Sequence, residues 1–373
     1  MKKKILIICI DGCAPLYLEQ GITPNIAAMA ERGFYKRVKS ALPSVTNVNH
    51  ASILTGSFPA KHGITGNYYY DVETGCASFV DRSDFLHSST IFDIYRFHGL
   101  STALLAVKGK VLQVFGNGVD IGVNAEDPSM EMLAELQLEA PPPVSSAEAN
   151  YWLLKACLQV IRLKDPDLVY CTTNDYMMHN YAPESEESIK HIKALDDLIG
   201  KLYAADPHRE IYITADHGMN DKSLLVDMQK KLDRAGFDTV CLPPMKDRYI
   251  ENHLYQEGGT LYIYLPDKGQ GGELVAYLES CPYVERICTR EEAVDKLGLH
   301  SGKIGDYVIF APETVSFAQM NREELRKDVR THGSLHEQAV PLVAVNARRP
   351  EEGYRYSLDI GRYILADKRV DGK

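Results

Sequence analysis

Three Asp and three His residues, widely separated along the chain, have the types and spacings that could trap divalent cations. Asp175-Tyr-Met-Met-His179 sets a carboxylate and an imidazole four residues apart, on one face of a helical turn, so both could ligate one ion. Alone, the pair would serve equally well as a helix cap and a surface His. Asp216-His217-Gly218 directly follows the strand-like Ile211–Thr214, and adjacent side chains at a strand end can both reach an ion. Asp-His-Gly by itself is also a turn sequence. Thr331-His332-Gly333 supplies a third His, with His336 four residues on as a competitor for the same role. Asp11 closes the apolar run Ile5–Ile10 and adds a third carboxylate. Hard carboxylates with borderline imidazoles suit Zn²⁺ or Mn²⁺, and the lack of Cys ligands argues for catalytic rather than structural metal. Two such ions about 3.5–4 Å apart can clamp the attacking and leaving atoms of an in-line displacement.

Such a centre needs a nucleophile. The stretch Leu42-Pro-Ser-Val-Thr-Asn-Val-Asn-His50 offers Ser44 and Thr46, with Ser52 and Thr55 just beyond. A Thr at a helix N-terminus gains from the dipole, and metal coordination can lower its hydroxyl pKa enough to give an alkoxide. Thr46 is therefore the candidate, although Thr is also a common helix cap.

These residues must be carried to one place by the elements around them. Short apolar runs ending in polar residues recur at Ile5–Ile10, Ala103–Val107, Leu168–Cys171 and Ile211–Thr214, with helical stretches between them such as Thr23–Arg32 and Ala147–Arg162. The alternation predicts an α/β fold around a mainly parallel sheet flanked by helices. Ligands of such sheets sit beyond the carboxyl ends of the strands, so Asp11, Asp175 and Asp216 should converge on one rim. Residues 221–330 read differently, with Pro243-Pro244, a strand-like Gly259–Leu265, a Gly-rich Lys268–Gly272, a helix-like Glu273–Ser280 and a strand-like Tyr307–Phe310. They are expected to form an inserted, smaller α+β cap on a metal-binding core built from 1–220 and 331–373.

Composition narrows the function classes. The 373 residues are 45% hydrophobic and 25% charged, with a formal net charge of −10, which argues against a surface that coats nucleic acid. A small anionic substrate stays open, because bound metal reverses the local field. The first apolar run is six residues long and broken by Asp11-Gly12, so it reads as a buried strand rather than a signal peptide. No other stretch approaches the roughly 18 apolar residues of a membrane span. The eight Cys are scattered without a Cys-x-x-Cys pair, as expected for reduced thiols in a cytoplasmic protein. A homodimer is an open expectation.

Taken together, Asp11-Gly, Pro43-Ser-Val-Thr46-Asn-x-Asn, Ser52-Ile-Leu-Thr-Gly, His62-Gly-Ile, Asp175…His179, Thr214-Ala-Asp216-His217-Gly-Met and His332-Gly…Glu337…Val340-Pro341-Leu resemble the alkaline phosphatase superfamily. Within it they resemble the nucleotide pyrophosphatase/phosphodiesterase branch, and most closely the phosphonoacetate hydrolases. That closer likeness rests on Cys9-x-Asp-Gly-Cys13-x-Pro, His62-Gly-Ile-Thr-Gly-Asn67-Tyr-Tyr-Tyr-Asp71, Asp175-Tyr…His179…Ala182-Pro183, Ile304-Gly-Asp306 and Arg330-Thr-His332-Gly…Glu337-Gln338. The resemblance implies an alkaline-phosphatase-like core and two Zn²⁺ ions. One zinc would be held by Asp175, His179 and His332, and the other by Asp11, Asp216 and His217. Thr46 would be both nucleophile and ligand, passing through a phosphothreonine. Asn67 would donate to a phosphoryl oxygen. The resemblance also favours His332 over His336.

The implied substrate is a small anionic phosphonate or phosphate ester. Expelling an acetate carbanion from phosphonoacetate needs positive charge near its carboxylate. Lys108 and Lys110, at i and i+2 on a strand end, would face the same way and could supply it; two solvated lysines are the plainer reading. The family's further lysine after Asp-x-x-x-His has no clear counterpart, with Asn180 and Lys190 both near. A phosphodiesterase or nucleotide pyrophosphatase on the same metals is the alternative, with Tyr68, Tyr69 and Tyr70 as a slot for a base. A metal-binding protein without catalysis is a third reading, opposed by the filled nucleophile and ligand positions.

Overall fold

The structure is a computed structural model that describes residues 3–370, with side chains up to residue 367. Its centre is a seven-stranded sheet in the order Phe34–Lys39, Ala339–Val345, Glu210–Thr214, Ile5–Cys9, Leu168–Thr172, Thr102–Ala106, Ile121–Asn124. The last five run parallel. Ala339–Val345 runs against both of its neighbours. Ile5–Cys9, Leu168–Thr172, Glu210–Thr214 and Thr102–Ala106 are buried along their whole length. That is why they read as unbroken apolar runs rather than alternating ones: helices cover both faces of the sheet.

Helices Pro24–Arg32, Ala147–Leu163 and Glu186–Ala205 pack together on one side, and Thr46–Thr55, Ile91–Phe97 and Asp359–Val370 on the other. Local sequence sets their ends. Ser146 and Ser185 cap the second and third by accepting from Ala149 N and Ser188 N. Helix Thr46–Thr55 stops at Gly56, whose φ of +58° is left-handed; a Cβ there would lie 2.3 Å from Arg362 N in the helix Asp359–Val370.

Between Asn220 and Thr331 the chain builds two further sheets. A four-stranded antiparallel sheet is ordered Val240–Leu242, Thr260–Tyr264, Tyr307–Phe310, Arg286–Thr289. A three-stranded one is ordered Val315–Phe317, Asn220–Val226, Glu324–Thr331, so the outgoing and returning strands pair with each other. Two further apolar clusters lie mostly here, one with Leu232, Ile263, Leu274 and Phe317, the other with Tyr262, Val308 and Phe310 and reaching to Leu42 and Leu335 outside this stretch. The mixed architecture with a large, mostly parallel sheet matches the sequence expectation. Among the described residues no helix is long and apolar enough to cross a membrane.

Candidate active site

The carboxyl ends of three neighbouring strands deliver the three carboxylates. Asp11 lies two residues beyond Ile5–Cys9, Asp175 three beyond Leu168–Thr172, and Asp216 two beyond Glu210–Thr214. The turn at Gly12, with φ +73°, lets its N–H donate to Asp216 Oδ1 at 3.1 Å, and a Cβ there would sit 3.1 Å from Asp175 Cβ. Glycine thus permits the close approach of two of the strand ends.

Around the carboxylates stand the three predicted histidines. Asp175 is the N-cap residue of the short helix Tyr176–Asn180, and His179 Nε2 lies 3.3 Å from Asp175 Oδ2. His217 Nε2 lies 3.2 Å from Asp216 Oδ2 and 3.4 Å from Asp11 Oδ1. His332 Nε2 is 4.0 Å from Asp175 Oδ2, and its ring stacks on His217 at 3.4 Å. Each ring is fixed through its other nitrogen. His179 Nδ1 meets Arg330 O at 2.7 Å, His332 Nδ1 meets Ser44 O at 2.7 Å, and His217 Nδ1 meets Gly218 O at 2.9 Å. A proton on Nδ1, donated to a carbonyl, leaves Nε2 with its lone pair toward the cluster, the arrangement typical of metal-ligating histidines. His336, the competitor, instead pairs with Glu285 at 2.6 Å.

Thr46 is the first residue of the helix Thr46–Thr55, and Val45, not Thr46, is its cap. The hydroxyl is therefore free of capping duty, and Thr46 Oγ1 lies 3.3 Å from His217 Nε2. Asn67 is close by: its Oδ1 accepts from Asn47 N at 3.1 Å, and its Nδ2 donates to Asp247 Oδ2 at 3.0 Å.

The two lysines correct the sequence reading. The strand ends at Ala106; Lys108 is the N-cap of the helix Gly109–Phe115, and Lys110 lies in its first turn, so strand alternation does not orient them. Nor are they solvated, because each is 3% exposed. Lys108 Nζ donates to Asp11 Oδ2 at 2.9 Å and to Asp175 Oδ1 at 2.7 Å, while Lys110 Nζ is paired with Asp247.

Electrostatics set this group apart from an ordinary ion-pair network. Burial, reinforced by the neighbouring Asp175 and Asp216, pushes the Asp11 carboxyl well above its usual range. Burial likewise raises Asp216 to about 6. Burial also opposes ionisation of Asp175, but Lys108 and His179 outweigh it and hold that carboxyl low. Burial keeps His217 and His332 neutral by lowering both. One ammonium thus faces three buried carboxylates. Asp11 Oδ1, Asp175 Oδ2, Asp216 Oδ2, His179 Nε2 and His332 Nε2 are all buried without a hydrogen-bond partner. Orphaned acceptors that converge, among carboxylates whose ionisation needs more cationic charge than Lys108 supplies, fit divalent cations. Potential ligand atoms of Asp11, Asp175 and His217 lie within 4.8 Å of one another, as do those of Asp175, His179, His253 and His332.

Sequence reasoning missed the residues that reach the site from 247–253. Asn252 Nδ2 donates to Asp175 Oδ1 at 2.9 Å, His253 joins the histidine cluster, and Asp247 binds both Asn67 and Lys110. No spacing signature marks them: they neighbour the centre only because the chain between Leu242 and Thr260 folds back onto it. Tyr68, Tyr69 and Tyr70 pack against Phe79, Phe85 and Tyr264 at ring distances of 5.0, 4.8 and 4.9 Å.

Comparison with known proteins agrees with this geometry. Residues 5–335 match the family described as type I phosphodiesterase / nucleotide pyrophosphatase. A phosphonoacetate hydrolase from Sinorhizobium meliloti, solved in complex with phosphonoformate, is 29% identical and superposes with a TM-score of 0.88 over 98% of this chain and 96% of that one. An uncharacterised pyrophosphatase/phosphodiesterase of Schizosaccharomyces pombe is 26% identical over 58% of this chain and 44% of its own length. Bovine ectonucleotide pyrophosphatase/phosphodiesterase family member 3 is 27% identical over 58% of this chain and 25% of its own. The chain thus spans less than half the length of these two curated relatives.

Proposed function

Because the chain belongs to the type I phosphodiesterase / nucleotide pyrophosphatase family, we propose that it is a two-zinc hydrolase that attacks phosphorus through Thr46 and cleaves phosphonoacetate to acetate and phosphate. The observation that carries this reading is the convergence of unpartnered buried atoms of Asp11, Asp175, Asp216, His179 and His332 beside a Thr46 hydroxyl with no capping role. Asp175, His179 and His332 would hold one ion, and Asp11, Asp216, His217 and Thr46 the other. When bound, the ions supply Lewis-acid charge that acidifies the Thr46 hydroxyl and offsets negative charge on the phosphoryl oxygens.

The chain's own residues do the rest. Thr46 Oγ1, at the positive end of its helix, gives up its proton to solvent and attacks phosphorus in line; the C–P bond breaks, the departing acetate carbon takes a proton from water, and a second water then hydrolyses the phosphothreonine to free phosphate and restore the hydroxyl. Asn67 is oriented by Asn47 N through its amide oxygen, and its Nδ2, which donates to Asp247 Oδ2 at 3.0 Å, would exchange that partner for a phosphoryl oxygen when substrate binds. Buried Lys108 and Lys110 place positive charge beside the centre, where a substrate carboxylate and a departing carbanion need it. Lys108 holds the outer oxygens of Asp11 and Asp175, leaving Asp11 Oδ1 and Asp175 Oδ2 for the ions. In this reading residues 221–330 are the cap on a core of 1–220 and 331–373.

The phosphodiesterase reading draws on the names of the curated relatives. Incubating zinc-loaded protein with phosphonoacetate and, separately, with a nitrophenyl phosphodiester distinguishes the two. Release of acetate and phosphate with slow turnover of the diester is expected. Brisk diester cleavage with inert phosphonoacetate would overturn the substrate assignment.

A further inference from the structure

The family likeness implies three protein ligands for the ion at Asp175, His179 and His332, yet a fourth candidate donor stands in the same cluster. His253 is 2% exposed, its Nδ1 is buried without a hydrogen-bond partner, and one of its ring nitrogens lies within 4.8 Å of ligand atoms of all three. Its ring meets His179 edge-on at 4.4 Å and lies 5.6 Å from His332. A buried imidazole nitrogen without a partner is costly unless something binds it.

The surrounding segment holds this side chain in place. His253 N donates to Ile250 O at 3.1 Å, and Gln256 N donates to His253 O at 2.9 Å, so the backbone is pinned on both sides. The adjacent Asn252 grips Asp175 Oδ1 at 2.9 Å, the oxygen that Lys108 also holds, which leaves Asp175 Oδ2 facing the histidines. Two successive residues of one turn thus address the same centre, one through the carboxylate and one through the cluster.

We propose that His253 is a fourth protein ligand of the ion held by Asp175, His179 and His332, an inference that rests on the two-zinc reading. Three protein donors and an open position mark a catalytic zinc, whereas four close its shell. Substrate oxygen must then enter by raising the coordination number or by displacing His253. The cap segment that carries His253 therefore governs access to this ion, as a retractable ligand.

The test uses the full chain stripped of metal and titrated with Zn²⁺ against a chromophoric chelator, and separately with Co²⁺. Wild-type protein should take up two ions. His253→Ala should still take up two, with one bound at least about tenfold more weakly, the lower bound being the cost of losing a mere outer-shell partner, and its Co²⁺ spectrum should weaken as water enters the shell and raises the coordination number. His253→Cys guards against a merely misfolded variant: its Co²⁺ form should gain a thiolate charge-transfer band in the near ultraviolet that wild type lacks. Wild-type affinity and spectrum in His253→Ala, or Co²⁺ binding to His253→Cys without the new band, overturns the fourth ligand alone. Failure of the wild type to bind metal overturns the two-zinc reading with it.

Discussion

Thr46 occupies the first helical position while Val45 takes the cap, a distinction of one residue that decides whether its hydroxyl can do chemistry. A capping hydroxyl is bound to backbone N–H groups, whereas this one points at His217 Nε2 from 3.3 Å. Thr46→Ala should therefore reduce turnover by about 10⁴-fold or more, as expected when the member of a catalytic set that forms the covalent bond is removed. Metal content should stay close to two ions, since Asp11, Asp216 and His217 remain. A steady-state assay on the preferred substrate, with metal analysis in parallel, checks this; turnover within tenfold of wild type would mean another group attacks. The sequence carried much of this scale. Asp-x-x-x-His and strand-Asp-His are local patterns, and their partners proved to lie at adjacent strand ends. Lys108 and Lys110 were legible as residue types but not in their setting, because the strand gives way to a helix before Lys108 and burial is invisible in a dipeptide.

Among the elements, the connection between Asn220–Val226 and the loop that carries His332 governs how firmly the site is held. Lys222, fully buried on that strand, donates to Glu337 Oε1 at 2.7 Å, and Glu337 Oε2 in turn accepts from Ser334 N at 2.8 Å and from Ser334 Oγ at 2.6 Å. The carboxylate is buried, which alone would raise its pKa, but Lys222 outweighs that and keeps it ionised. Lys222→Met should leave a buried charge uncompensated and cost about 3 kcal/mol or more in stability, while adding Glu337→Gln should recover part of the loss. Denaturant unfolding of the three proteins checks it, and a Lys222→Met loss under about 0.5 kcal/mol would contradict the pairing. Elements of this kind were readable where apolar runs are continuous. Ile5–Cys9 and Glu210–Thr214 fell within one residue of the expected runs, because strands buried on both faces are mostly apolar along their length. The Lys222–Glu337 link joins positions 115 apart, and no local pattern announces it.

For the molecule as a whole, a parallel sheet brings the ends of its strands together, and distant carboxylates become neighbours without any one segment encoding the site. The alternation of strands and helices was enough to foresee that rim. It was not enough to foresee what descends on it, since Asp247, Asn252 and His253 belong to a segment with no periodic pattern between the strands Val240–Leu242 and Thr260–Tyr264. The proposed chemistry requires divalent cations between these groups. Anomalous scattering from zinc-grown crystals, recorded on either side of the zinc absorption edge, tests that most directly. Two peaks about 4 Å apart are predicted, one amid Asp11, Asp216, His217 and Thr46 and the other amid Asp175, His179 and His332. A map with no peak among these residues, from crystals that bind zinc elsewhere, would contradict it.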